Sequence, residues 1–370
     1  MQGSGGRESE NPVRLSDFGI YRYELPFTEP LTLKGATLHT REGLLLRLTG
    51  DDGSEGWSEA SPLPGFSLET LDEAADQLVK ASEAMTAAGR SPSENTPSIL
   101  HLNTAPSVRF AIELATLNLN AARRGVSALE LLDPNAGGIL PVNGLLSGSA
   151  DEVVADARRM RDAGYRAVKL KVGGLAVRDD AELVREVSGV LGHGISLRLD
   201  ANRAWSLDEA IEFARATRDV RIEYIEEPLS DSALLPRFAD ESRMPVALDE
   251  SLIGIEPEEL SRHGYARAVV LKPTLIGGVR HTLRIAEEAH RLCMTPVVSS
   301  AYESGVGTLG LISLSASTGG APAGLDTYRR LAEDILIPPP ELHSPTIDVR
   351  PMLETPRSVD VDRLELIASL

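Results

Sequence analysis

Five lysines occur in this 370-residue chain, and three of them end apolar runs that read as buried strands: Lys169 and Lys171 in AVKLKVG, Lys272 in AVVLKP. The other 32 of the 37 basic residues are arginine. A guanidinium stays charged, whereas an ammonium gives up its proton where its surroundings depress its pKa. Lysine kept for these places therefore points to proton transfer. Carboxylates end the runs between them: Asp200 in LRLDAN, Glu226 in YIEEP and Asp249 in VALDE. Carboxylate oxygens are ligands for a hard divalent cation, and Mg²⁺ keeps open positions for water and substrate. The three acids are therefore read as Mg²⁺ ligands, with Mn²⁺ able to substitute, framed by two bases.

These residues need a scaffold that brings strand ends together. From about Val142 the chain repeats a short apolar run, a polar strand end and an amphipathic segment. The runs are PVNGLL, AVKLKV, SLRLDA, IEYIEE, PVALDE, AVVLKP, TPVVSSA and AGLDTY. Lys171, Asp200, Glu226, Asp249, Lys272 and Ser299 follow one another at intervals of 29, 26, 23, 23 and 27 residues. One βα unit takes about this much chain, and eight parallel strands close a barrel whose carboxyl ends share one mouth. In DEVVADARRMRDAG, Val153, Ala157 and Met160 fall on one helical face and Gly164 follows the end.

Lys169 and Lys171, two apart on a strand, point to the same side. Buried without partners they would be prohibitively costly, which places them beside the carboxylates. Lys272, four strands on, faces them across the barrel. Asn202, two past Asp200, can reach back to the site or serve as a loop amide. Glu227 and Glu250 alternate away from their neighbours and read as supporting groups.

The first 130 or so residues differ. Alternating strands such as FGIYRYEL and GLLLRLTG precede GWSEASPLPGFS and two helical stretches, Leu68 to Ala87 and Ser107 to Arg124. The expected organisation is a mobile tip over 1–12, an α+β capping domain over 13–135, a barrel over 136–337, and a segment over 338–370 that packs back on the capping domain, its strand-like TIDV included.

The formal charge of −18 repels nucleic acid and anionic membranes. It suits a salt-rich cytoplasm, and an arginine-biased genome gives the same basic composition. One cysteine, Cys293, excludes an internal disulfide framework. With no signal-like or membrane-spanning run, a cytoplasmic protein is expected, and self-association into a homo-oligomer is allowed. Gly305, Gly307 and Gly310 spell G-x-G-x-x-G but stand too far past their strand for a dinucleotide fingerprint. They can instead open a helix N-terminus toward a substrate anion. No histidine ends a predicted strand, so zinc clusters and histidine triads are unsupported.

Taken in order, KLK, LDAN, EEP, LDES and VVLKP resemble the muconate-lactonising branch of the enolase superfamily. The resemblance implies an α/β fold, a modified TIM barrel of (β/α)7β form with an α+β capping domain. Lysine bases with Mg²⁺ are known for that superfamily. TREG, SPLPGFS after GWSEA, LRLDANRAW, VVLKPTLIGG, SSAYES and GLDTY are similar to the o-succinylbenzoate synthases of menaquinone biosynthesis, which are Mg²⁺-dependent hydro-lyases acting on a small carboxylate. Carried over, the resemblance makes Lys171 the base, Lys272 the opposing lysine that stabilises an anionic intermediate, Lys169 a charge-tuning neighbour, and Asp200, Glu226 and Asp249 the metal ligands. Pro64, Gly65 and Phe66 of the PLPGFS loop, with Asn202 and Ser300, would line the substrate pocket. N-acylamino acid racemisation, dipeptide epimerisation and cycloisomerisation share the same enolate step and are the alternatives. Asp326-Thr327-Tyr328 lacks the second acid of the Asp-x-Asp that epimerases carry. A barrel glycosidase using Glu226 and Asp249 is a remoter reading that leaves the lysines idle.

Overall fold

The computed structural model describes residues 14–88 and 104–370; the expected N-terminal tip lies outside them. Strands β1 (Leu15–Leu33), β2 (Ala36–Gly50) and β3 (Glu55–Ala60) form an antiparallel sheet, and the C-terminal strand Glu365–Ser369 adds to the free edge of β1. The run LLL in β2 has no polar alternation because both faces are covered. Leu44, Leu46 and Leu48 pack with Phe18 and Ile20 under helices α1 (Leu71–Ala87) and α2 (Pro106–Arg124), while Leu45 joins Tyr23 and Leu25 in the core shared with the barrel. Thr70 and Glu73 close a capping box on α1. At Gly56 a Cβ would stand 2.1 Å from the Ala115 carbonyl oxygen, so β3 can lie this close to α2 only with glycine there.

After β4 (Ile139–Pro141), seven strands form one parallel sheet in chain order: β5 (Asn143–Leu146), β6 (Ala167–Lys171), β7 (Ser196–Asp200), β8 (Ile222–Glu226), β9 (Val246–Leu248), β10 (Ala266–Leu271) and β11 (Thr295–Val298). The helix Ala150–Ala163 buries Val153, Ala157 and Met160 and stops at Gly164 with φ 87°. Between β9 and β10 the crossover carries a 3₁₀ segment, Pro257–His263, in place of an α-helix.

The eighth run, AGLDTY, forms no full strand. Ala323 bridges Val142 and Gly324 bridges Ser299, and hydrogen bonds from Asn143 N to Ala323 O (2.8 Å) and from Ser300 N to Gly324 O (2.9 Å) close the barrel between β5 and β11. The chain then turns into a 3₁₀ helix at Asp326–Arg330. The preceding Pro322 has no N–H to extend a ladder. The fold is thus a modified TIM barrel with an α+β cap. One expectation for the tail changes: TIDV pairs through Thr346–Asp348 with β4, and it is Glu365–Ser369 that reaches the cap sheet. No helix among the described residues is long and apolar enough to cross a membrane.

Candidate active site

Parallel register sets the charged residues side by side. Lys171 stands beside Asp200 across β6 and β7, and Asp200 beside Glu226 across β7 and β8. Asp249 and Lys272 directly follow β9 and β10. Asp200, Glu226 and Asp249 are 1–3 % exposed, so each charge must be met within the protein.

Ammonium groups meet them. Lys169 Nζ lies 3.1 Å from Glu226 Oε2 and 3.2 Å from Asp200 Oδ2. Lys171 Nζ donates to Asp200 Oδ2 at 3.0 Å and to Asn202 Oδ1. Lys272 Nζ donates to Asp249 Oδ2. The Lys171 side chain is 39 % exposed, against 12 % for Lys169 and 13 % for Lys272, so it is the most open of the three to an incoming molecule.

Burial disfavours the charged forms of Lys169 and Lys272, but the surrounding carboxylates outweigh it and push both ammoniums above the ordinary lysine value. Burial raises Asp200 too, and there Lys171, Lys169 and Lys272 prevail and hold it well below the usual carboxylate range. Burial pushes Glu226 up to about 7; Lys169 opposes the shift, while Asp200 and Asp249 add to it. Glu250, also raised by burial and by Asp249, keeps Oε2 buried without a hydrogen-bond partner. This crowding of carboxylate oxygens is the kind of donor set a hard dication relieves. Among the described residues no group of three or more such side chains is arranged as a metal centre; lysine ammoniums stand against the carboxylates instead.

The loops after β7 and β8 adopt unusual backbone to support the site. Asn202, Arg203 and Glu227 have φ of 41°, 64° and 39°, conformations that persist where the surroundings over-determine them. They place Asn202 between Lys171 and Glu250, its Nδ2 donating to Glu250 Oε1 at 3.2 Å. Asn202 thus stands among the charged side chains and lines the pocket. The Glu227 carboxylate turns away from the pocket and accepts from Asp249 N, Ser251 N, Ser251 Oγ and Arg203 Nε.

A pocket opens above these groups, lined by Lys169, Lys171, Asp200, Asn202, Lys272 and Ser300 from the barrel and by Leu33, Leu63 and Phe66 from the cap. Of the three loop residues expected there, Phe66 reaches it; Pro64 and Gly65 are exposed and do not line it. Ser300 lines the wall, but its hydroxyl donates to Glu303 Oε2 at 2.6 Å and accepts from Tyr302 N at 3.0 Å, so it serves the loop first. Sequence reading missed Leu33, at the tip of the first hairpin, together with Asn143, Tyr302 and Thr327. Nothing in the residue type of Leu33 marks it; only the fold brings that hairpin over the barrel mouth. The neighbouring Lys34 sets its ammonium 4.1 Å over the Phe66 ring.

The glycine-rich helix start is not offered to a substrate anion. In the helix Gly305–Ser317, the N–H groups of Ser304 and Gly307 donate to the Glu59 carboxylate at 3.0 Å, and Gly305 N donates to Asp334 Oδ2 at 2.7 Å. A Cβ on Gly307 would stand 2.8 Å from Glu59 Oε2. Glycine is there to admit the protein's own carboxylate from the cap.

Residues 152–352 match the family model described as enolase C-terminal domain-like, and residues 15–119 match the MenC N-terminal domain. An o-succinylbenzoate synthase of Haemophilus influenzae is 33% identical over 337 residues, spanning 90% of this chain and 96% of that protein. One of Klebsiella pneumoniae is 35% identical over 335 residues, 89% of this chain and 96% of its own length. The crystal structure of a muconate lactonizing enzyme from Pseudomonas fluorescens, complexed with muconolactone, superposes with a TM-score of 0.84 at 26% identity, over 95% of this chain and 98% of that one.

Proposed function

Because this chain belongs to the o-succinylbenzoate synthase family within the enolase superfamily, we propose that it dehydrates 2-succinyl-6-hydroxy-2,4-cyclohexadiene-1-carboxylate to 2-succinylbenzoate. The observation that carries this reading is the placement of Lys171 and Lys272 over a floor of buried carboxylates, in a pocket walled by the cap. Asp200, Glu226 and Asp249 would hold one Mg²⁺, which when bound supplies positive charge beside the substrate carboxylate.

Lys171, as the base, takes the proton from the ring carbon that bears the carboxylate, and the C–H electron pair moves into the carboxylate as an enediolate. Lys272, an ammonium held charged by Asp249, lies where that growing negative charge can be met. The adjacent C–O bond then breaks, the returning electron pair closes the aromatic ring, and hydroxide leaves as water with the proton that Lys171 carries. One residue taking and returning the proton on one face makes this a syn elimination. Asn202, bonded to both Lys171 and Glu250, holds the amine in line. Leu33, Leu63 and Phe66 exclude water from the ring.

The test is a comparison of kcat/KM for the cyclohexadiene substrate with a panel of N-acylamino acids and dipeptides. The synthase reading requires the first to be highest; a larger value for any N-acylamino acid would reverse the assignment.

A further inference from the structure

Arg41 is 2 % exposed, yet its guanidinium hydrogen-bonds to backbone carbonyls rather than to a carboxylate: Ser61, Pro62 and Glu42 from the cap, Ala301 and Tyr302 from the barrel. Nε reaches Tyr302 O at 3.1 Å, Nη1 reaches Pro62 O at 2.9 Å and Nη2 reaches Ala301 O at 3.3 Å. Burying a cation is costly unless each lost hydration contact is replaced, and only a rigid planar fork with five N–H donors can serve five carbonyls on two sides at once.

What those carbonyls belong to gives the arrangement its meaning. Ser61 and Pro62 lead into the turn in which Phe66 N and Ser67 N donate to Leu63 O, and Leu63 and Phe66 are the cap wall of the pocket. Ala301 and Tyr302, next to Ser300 on the barrel, also line the pocket and belong with Leu63 and Phe66 to one apolar cluster across the seam between cap and barrel. Tyr302 holds φ at 65°, a left-handed conformation that costs a non-glycine residue about 1 kcal/mol or more and needs outside support. The Arg41 bond to the Tyr302 carbonyl gives that support.

We propose that Arg41 is a positioning residue for substrate binding: its guanidinium fastens the cap loop that lines the pocket to the adjoining barrel loop and so fixes where Leu63, Phe66 and Tyr302 stand, without touching the reacting atoms. The choice of ligand in the test rests on the synthase reading; the fastening itself does not.

Arg41→Lys keeps the charge but loses the fork, and Arg41→Ala loses both. In each, amide hydrogen exchange should quicken by about tenfold in both 61–67 and 300–303 while 167–171 keeps its protection. Both KM for the cyclohexadiene carboxylate and Kd for 2-succinylbenzoate should rise by about tenfold, with kcat kept within about threefold. Guanidinium ion added to Arg41→Ala should lower KM again. Faster exchange in one segment only, or a fall in kcat at unchanged KM, would overturn the proposal. If Arg41→Ala does not fold, Arg41→Lys carries the test; if neither folds, the residue upholds the fold and not the pocket, and the proposal fails. Should the wild type not bind 2-succinylbenzoate, the synthase reading falls, and the exchange measurement still decides the role of Arg41.

Discussion

The Glu227 carboxylate accepts the backbone N–H of Asp249 at 3.0 Å, so a residue beside one proposed metal ligand fixes the position of another. Its two oxygens also take Ser251 N at 2.8 Å, Ser251 Oγ at 2.9 Å and Arg203 Nε at 3.1 Å. Truncation would leave buried donors unpaired, at a cost of about 1–3 kcal/mol, and would free the Asp249 backbone. Glu227→Ala should lower stability by that amount in denaturant titration. It should also weaken Mg²⁺ binding by roughly 10–100-fold, the effect of removing a partner that orients a ligand. Unchanged Mg²⁺ affinity at reduced stability would confine Glu227 to a structural role.

Lys171 and Lys272 share a residue type but not a duty. Arginine cannot act as a base near neutrality, so Lys171→Arg should be nearly as damaging as Lys171→Ala, each cutting kcat by about 10²-fold or more. Lys272, meeting charge without transferring a proton, should tolerate arginine better than alanine. The check is kcat for all four variants, together with hydrogen exchange of an unreactive substrate analogue in deuterated buffer. Exchange that persists without Lys171 but stops without Lys272 would place the base on the wrong face.

The charged centre was legible because lysine and carboxylate are expensive on buried strands, so AVKLK, SLRLD and AVVLK announce a site wherever they converge. Period-two alternation then told which neighbours support it, as with Glu227. Other features depend on tertiary contact that leaves no local pattern. Ala323 and Gly324 close the barrel with two residues, too few to show a strand period. G-x-G-x-x-G looks identical whether its helix start faces a ligand or Glu59, which is nearly 250 residues away in the chain. Arg41 reads as one arginine among many in an alternating strand; only the approach of two loops gives its guanidinium carbonyls of both to bind.

A metal requirement follows from the carboxylate floor. Asp200→Asn, Glu226→Gln and Asp249→Asn should each leave the circular dichroism spectrum intact while weakening Mg²⁺ binding, measured by calorimetry, by about tenfold or more. Chelation should abolish turnover, and Mg²⁺ or Mn²⁺ should restore it. Full activity after exhaustive dialysis against chelator would show that the lysines alone neutralise the intermediate.

Glu303 supplies a test of stability against pH. It is fully buried, its Oε2 accepts from Ser300 Oγ and Ala301 N, and its Oε1 has no hydrogen-bond partner. Burial raises its pKa and the nearby Glu59 charge adds to the rise, while Ser300 and Arg41 pull the other way. A carboxyl whose pKa is higher folded than unfolded releases a proton on unfolding, so its contribution to stability falls as pH climbs from the unfolded value of about 4.3 through the folded one. Glu303→Gln keeps an oxygen for Ser300 and Ala301 but cannot ionise. The variant should therefore gain on the wild type as pH rises: the difference in Tm, variant minus wild type, should be more positive at pH 8 than at pH 4.5. A difference that stays constant across that range, or shifts the other way, would mean that Arg41 and the Ser300 loop hold Glu303 ionised throughout, and that the bond network outweighs burial.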